Sequence, residues 1–201
     1  MNQDYTKLLG SILKNMALMD HIRPSEIPNI DLYMDQVTTY LNNKFIATKR
    51  HENDKLLTKT MINNYAKSRL LPSPEKKKYS KDHIIILTMI YFFKNVISIN
   101  DVTKILSPLI EKYFHNEDTP MENIINNFLD YINNQNLANP ASIESGCSEN
   151  IFDGINSNDD NEEYLHTLSI ITSLSYDMFI RKIMIEKLID SLPDKNTEDK
   201  K

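Results

Sequence analysis

An all-α fold is predicted by three observations. The 201 residues include only three glycines, and apolar residues recur at steps of three and four through most of the chain. Tight-hairpin signals are almost missing: the single Asp-Gly pair, Asp153 and Gly154, lies in a polar stretch with no alternating strand on either side. With 40% apolar and 25% charged residues, the composition is ordinary for a globular chain with one sizeable core.

The first helix is expected over about Tyr5 to His21, where Leu8, Leu9, Ile12, Leu13, Met16 and Met19 form one stripe. Pro24 and Pro28 then break the chain. A second helix is expected to open near Asp31 and to bury Leu32, Val37, Tyr40, Leu41 and Phe45, followed by a polar connector over Lys49 to Asp54. Thr58 suits an N-cap, since its hydroxyl can accept an orphan N–H of the first turn; the helix it opens would turn Met61, Ile62, Tyr65 and Ala66 inward. Pro72 and Pro74 end that helix.

Ser80 is the next expected cap, with Asp82 at the positive end of the helix dipole. The helix runs through Ile84, Ile85, Ile86, Leu87, Met89, Ile90, Phe92 and Phe93, apolar nearly all round, and should be the central buried helix. Ser98 to Asn100 starts a fifth helix carrying Val102, Ile105, Leu106, Leu109 and Ile110, with a kink or break expected at Pro108. Thr119 and Pro120 open a sixth, with Met121, Ile124, Ile125, Phe128, Leu129 and Ile132 as its apolar side. From Asn136 to Glu163 the composition shifts to Asn, Ser, Asp and Glu, the mark of a long acidic flexible loop. A last helix, about Glu162 to Leu192, has Leu165, Leu168, Ile171, Leu174, Met178, Ile185, Leu188 and Leu192 as apolar positions; Thr172 and Ser175 interrupt its heptad.

The net charge of −5 hides an asymmetry. Between Lys44 and Asp82 eleven cations face four anions, a local +7, while the remainder holds 12 cations and 24 anions. Such a block concentrates positive potential on one surface, as nucleic-acid binding needs and as a plain solvated face also shows. Lys44 to Lys55 reads as a charged connector; the order of features that follows is more specific. In the Thr58 helix, Lys59, Thr60, Asn63, Asn64 and Lys67 would face outward, toward base edges: asparagine can pair bidentately with adenine, and lysine can donate to guanine or phosphate. Arg69, Lys76, Lys77, Lys78 and Lys81 would serve the phosphate backbone, which positions a protein without reading sequence.

Thr58, Ile62, Tyr65, Leu70, Leu71 and Pro72, then a basic loop, Tyr79 to Asp82 and an apolar helix, resemble the DNA-binding region of MerR-type winged helix-turn-helix regulators. From about Ile27 to Leu109, including the Ile30 to Asp35 segment and the run from Leu57 to Tyr79, the chain is also similar to a bacterial family known only as a domain of unknown function. The resemblance implies a supporting helix over Asp31 to Leu41, a recognition helix over Thr58 to Lys67 and a wing over Ser73 to Lys78. The chain departs from the MerR pattern in four places. Asn63 stands where an arginine is usual, and Arg69 where glycine precedes the Leu-Leu-Pro turn, so that turn should form differently. The wing is shorter, and the stretch between the supporting and recognition helices is longer than a tight turn.

Other chemistry is sparse. Cys147 alone can form neither an intramolecular disulfide nor a thiolate cluster, and His21, His51, His83, His115 and His166 have no ligand spacing, so no metal or cofactor is expected. No nucleophile elbow, phosphate loop or carboxylate pair points to an enzyme; Asp159, Asp160, Glu162 and Glu163 read as solubilising acids in the flexible segment. The N-terminus lacks a signal-peptide pattern and the longest apolar run is Ile84 to Phe93, so a cytoplasmic protein with no membrane partner is expected.

The expected organisation is an N-terminal helix (1–26), a MerR-like helix-turn-helix domain (27–115), a connecting helix (116–135), the acidic loop (136–163), a C-terminal helix (164–192) and a disordered tail (193–201). The expected function is transcriptional regulation through double-stranded DNA, with the C-terminal helices available for a homodimer. The alternative is a protein-interaction adaptor that keeps the helix-turn-helix core without binding DNA.

Overall fold

The computed structural model describes residues 24–134 and 159–191. The expected helix over Tyr5 to His21, residues 136–158 of the acidic segment and the tail lie outside the described residues. After a 3-10 turn at Pro24–Glu26 come β1 (Leu32–Tyr33), α1 (Met34–Lys44), a second 3-10 turn (Ile46–Thr48) and α2 (Lys59–Lys67). Then follow β2 (Lys78–Tyr79), α3 (Lys81–Phe93), α4 (Ile99–Tyr113), α5 (Met121–Asn134) and α6 (Asp159–Asp190).

The mainly helical class holds, with one addition that the pattern of apolar residues did not suggest. β1 and β2 pair antiparallel, Leu32 opposite Tyr79 and Tyr33 opposite Lys78. This pairing takes residues 31–33 out of the helix expected from Asp31. Tyr33 is the extended N-cap of α1, and its N–H donates to Gln36 Oε1 at 2.9 Å.

α3 organises the rest. Every residue from His83 to Phe93 is buried, so the helix must be covered on all sides. α1, α4, α5 and α6 all pack against it. Each large aliphatic or aromatic side chain so enclosed contributes about 1.5–3 kcal/mol. At its C-terminal end Phe45 stacks on Tyr91 with ring centroids 4.0 Å apart, and Phe92 stands edge-on to Phe45 at 5.7 Å and to Phe179 at 5.4 Å. That aromatic cluster joins the end of α1 to α3 and α6.

Several expectations are corrected. Of the kink or break expected at Pro108, the break does not occur: α4 continues through it, with the proline on the exposed side, where water can donate to the carbonyl that its missing N–H leaves free. α6 begins at Asp159, so Asp159, Asp160, Glu162 and Glu163 lie in its first turns and not in a loop; acids are favoured at that end of a helix. Its stripe is also placed differently. Leu165 and Leu168 are buried as expected, whereas Leu174, Met178 and Ile185 are exposed and Tyr176, Phe179, Ile180 and Ile183 face the core. Thr172 and Ser175, the heptad interruptions, are buried, with Ser169 and Ser173 beside them. Small hydroxyl side chains on this face let α6 lie close to its neighbours.

Ser80 is the N-cap of α3, and its hydroxyl also reaches the histidines around it. It meets His83 Nδ1 at 2.8 Å and His115 Nε2 at 3.0 Å, and the Ser80 N–H donates to His83 Nδ1 at 3.0 Å. His83 Nδ1 is therefore the acceptor and Nε2 carries the proton; Nε2 is buried without a hydrogen-bond partner. Burial first, and His115 second, push the His83 pKa down to about 4 from 6.5, against the opposing pull of the Pro72 and Ser73 carbonyls. Above pH 6.5 the ring is neutral in both folded and unfolded chains. Below it the unfolded chain takes up a proton that the folded chain refuses until about pH 4. Stability should therefore fall by on the order of 3 kcal/mol as pH drops through that window, then level off. Urea titrations at pH 7 and pH 4.5 should show this loss for the native chain and a clearly smaller one for His83→Gln.

Candidate nucleic-acid interface

α2 is held by its cap and its inner face. Thr58 Oγ1 accepts from the Met61 N–H at 3.2 Å. Ile62 and Tyr65 are buried and Met61 and Ala66 half-buried, while Lys59, Thr60, Asn63, Asn64 and Lys67 are all exposed. The five residues expected to face bases thus share the outer side of one short helix.

The helix ends in a left-handed turn. Arg69 has φ 61°, its N–H donates to the Ala66 carbonyl at 3.2 Å, and the Leu70 N–H reaches back to Tyr65 at 2.9 Å. These are the two bonds of the Schellman motif, which glycine usually completes because a Cβ is disfavoured there. The expectation that Arg69 makes this turn form differently is corrected: arginine adopts glycine's conformation, at a cost of about 1–2 kcal/mol. Leu70 and Leu71, both buried, then anchor the chain in the core.

The loop expected as the wing repeats the pattern. Glu75 bridges Lys78, whose N–H donates to the Glu75 carbonyl at 2.8 Å, and the two residues between, Lys76 and Lys77, have φ 48° and 65°. Positive φ at both central positions is the signature of a type I′ turn, where Asn-Gly is the preferred pair. Here two exposed lysines occupy it. Behind the tip, Lys78 joins β2 and Tyr79 is buried.

The N-terminus of α1 brings the wing and α2 together. Lys78 Nζ lies 5.5 Å from the Tyr33 ring centroid, and Lys59 forms an ion pair with Asp35, two residues further on. The base of the wing and the first turn of α2 therefore meet on neighbouring residues. The Lys59–Asp35 pair is exposed on both sides, and such pairs contribute about 0–1 kcal/mol. Lys81 is half-buried and gives its ammonium to Glu122 Oε2 at 2.6 Å, which links α3 to α5.

The long stretch between α1 and α2 is tied down by a residue that the sequence did not single out. Asn42 donates through Nδ2 to the Leu57 carbonyl at 2.8 Å and accepts from the Leu57 N–H at 3.2 Å, so the residue before the α2 cap is clasped to α1. Lys94 Nζ holds the Leu56 carbonyl at 2.8 Å from the other side. Asn42 lay on a polar helix face, and only the tertiary contact gives it a role. Tyr33, Asp35 and Lys94 were missed for the same reason. Among the described residues no group of His, Cys, Asp or Glu is arranged to hold a metal, and no helix is long and apolar enough to cross a membrane.

The family profile of the Domain of unknown function (DUF1836) matches residues 22–134, more than half of the chain, and the chain belongs to that family. The match extends beyond the segment from Ile27 to Leu109 that carried the resemblance and takes in all of α4 and α5; α6 lies outside it. No curated protein and no solved structure matches the chain.

Arginine and lysine at positive φ predict a stability gain from the residues these turns prefer. Arg69→Gly should raise the unfolding free energy by about 0.5–1 kcal/mol, the left-handed strain being partly offset by the freer unfolded chain. Chemical denaturation of the single variant reads this directly; an unchanged or lower midpoint would contradict it.

Proposed function

We propose that this chain is a DNA-binding transcriptional regulator of the winged helix-turn-helix kind, with α1 as supporting helix, α2 in the major groove and the 75–78 turn on the phosphates. The observation that carries the reading is the placement of cations at strained backbone. Arg69, Lys76 and Lys77 occupy three left-handed positions at which glycine or asparagine would be the more stable choice. Strain of this kind persists where the side chain is needed, and phosphate contact is a need that Arg and Lys meet.

On this reading Thr60, Asn63 and Asn64 face base edges, with Lys59 and Lys67 at either end of the helix. Lys59 exchanges the exposed Asp35 carboxylate for the nucleic acid. Arg69, Lys76, Lys77 and Lys78 hold the backbone on either side of the groove. Lys81 contributes only where Glu122 releases it, and serves first to position α3.

The pair Lys76→Asn with Lys77→Gly tests the wing cleanly, because it keeps the turn and removes only charge. Duplex retention at about 50 mM salt should be strong for the native chain and should weaken steeply by about 200 mM. The double variant should lower affinity for all sequences alike and reduce the slope of log affinity against log salt by about 2, near 0.9 per lost phosphate contact. Asn63→Ala should instead relax the preference at one base position. Failure of the native chain to retain any of a pool of genomic fragments at low salt would sink the reading.

α6 supports a homodimer. Leu174, Met178, Ile185 and Ile189 are exposed at steps of four, seven and four, a seam of the spacing that pairs helices. Charges of both signs, Asp177, Arg181, Lys182, Glu186 and Lys187, flank it and can complement a second copy. Sedimentation of the native chain should give a dimer, and Met178→Glu with Ile185→Glu a monomer; one mass for both proteins would remove this part of the proposal.

A further inference from the structure

The connector between α1 and α2, expected to be no more than a charged linker, forms one wall of a pocket of about 290 Å3 against the end of α3 and the second half of α6. Its lining is mainly polar: Arg50, Lys55, Lys94 and Lys182 bring four cations to it, against Asp54 and Glu186, while the buried Leu56, Tyr91, Phe179 and Ile183 form its floor. Its volume is close to the lower end of the range that small-molecule sites occupy, about 300 Å3.

Two of these charges are already committed. Arg50 holds Asp190 on α6 through Nε at 3.1 Å and Nη2 at 2.6 Å. The Asp54 carboxylate folds into its own turn and accepts from the Arg50 and His51 N–H groups at 3.1 and 2.9 Å. Lys55, Lys94 and Lys182 remain, facing Glu186, and none of the three has an ion-pair partner among the described residues. Lys94 is the most constrained. It is half-buried, its ammonium donates to the Leu56 carbonyl at 2.8 Å, and it lies 5.2 Å from the Tyr91 ring centroid. A carbonyl and an aromatic face solvate a cation but do not neutralise it, and burial alone pushes the Lys94 pKa down to about 8. The Arg50–Asp190 ion pair joins the connector to α6 beside the pocket, and Asp190 is not among the residues that line it.

We propose that this pocket binds a small organic anion, its acidic group held by Lys94 and Lys182 and its flat apolar body set against Tyr91 and Phe179. A body the size of one six-membered ring suits the volume, and an anionic head supplies the counter-charge that Lys94 lacks. The head can be a carboxylate or a phosphate monoester. The site does not depend on the reading of α2, since its wall residues lie on the connector, α3 and α6.

The test is titration of the full chain, followed by calorimetry or by amide shifts, with phenyl phosphate and benzoate as probes and inorganic phosphate and benzyl alcohol as controls. At least one of the two aromatic anions should bind, with both controls at least tenfold weaker, and whichever anion binds more tightly identifies the head group. Lys94→Met should weaken binding at least tenfold. Lys182→Glu, on an exposed position that leaves the fold intact, should do the same, so a folding defect in the first variant does not leave the question open. Absence of binding by both anions, equal binding by either control, or unchanged affinity in Lys182→Glu overturns the proposal.

Discussion

A helix without a polar face has to be enclosed, and that constraint shapes everything around α3. Between Asp82 and Lys94 there is no charged residue, and the side chains from His83 to Phe93 are all buried. Four helices are spent covering it. The chain enters α3 directly from the wing and leaves α2 through Leu70 and Leu71, so the basic loop is pinned at both ends by buried residues, Leu71 before it and Tyr79 after it. A short loop between two such anchors keeps a defined direction, which a surface that tracks a phosphate backbone requires.

Within that frame local preference and charge are in conflict at three positions. Local preference asks for glycine or asparagine at 69, 76 and 77, and the sequence supplies arginine and two lysines. Departures from local rules without a packing gain are expected at functional sites. No packing gain is present here, because Arg69, Lys76 and Lys77 are exposed. The cations on either side are restrained more softly. Lys78 rests on Tyr33 and Lys59 on Asp35, both at the start of α1, so one helix end orients the wing and α2 together.

Much of this was legible in the sequence, and the rest was hidden for identifiable reasons. The continuous apolar run announced the buried α3, the Thr58 cap announced α2, and the outward side of α2 followed from its 3.6-residue period. The two-residue strands were not legible, since no alternation can be detected over two residues, and their pairing moved the start of α1 to Met34. The stripe of α6 was misplaced because that helix is apolar on two sides, and periodicity alone does not say which side meets the core. Asn42, the clasp on Leu57, was invisible because it sits fifteen residues away from its partner. The pocket was invisible for a stronger version of the same reason: Arg50 and Asp190 are 140 residues apart.

The connector and α6 therefore have more to do than join elements. Leu56, in the pocket wall, lies two residues before the α2 cap, and its neighbour Leu57 is the residue Asn42 holds, so the pocket and the basic face share one short piece of chain. On the proposed function, the outer side of α2 and the 75–78 turn form the face that meets DNA. The most direct test is a map of backbone amide shifts of the full chain on addition of a duplex at low salt. The perturbed amides should cluster at residues 59–69 and 75–78. Binding that leaves those amides unmoved and shifts others would contradict the assignment of α2 and the wing as the surface that meets DNA.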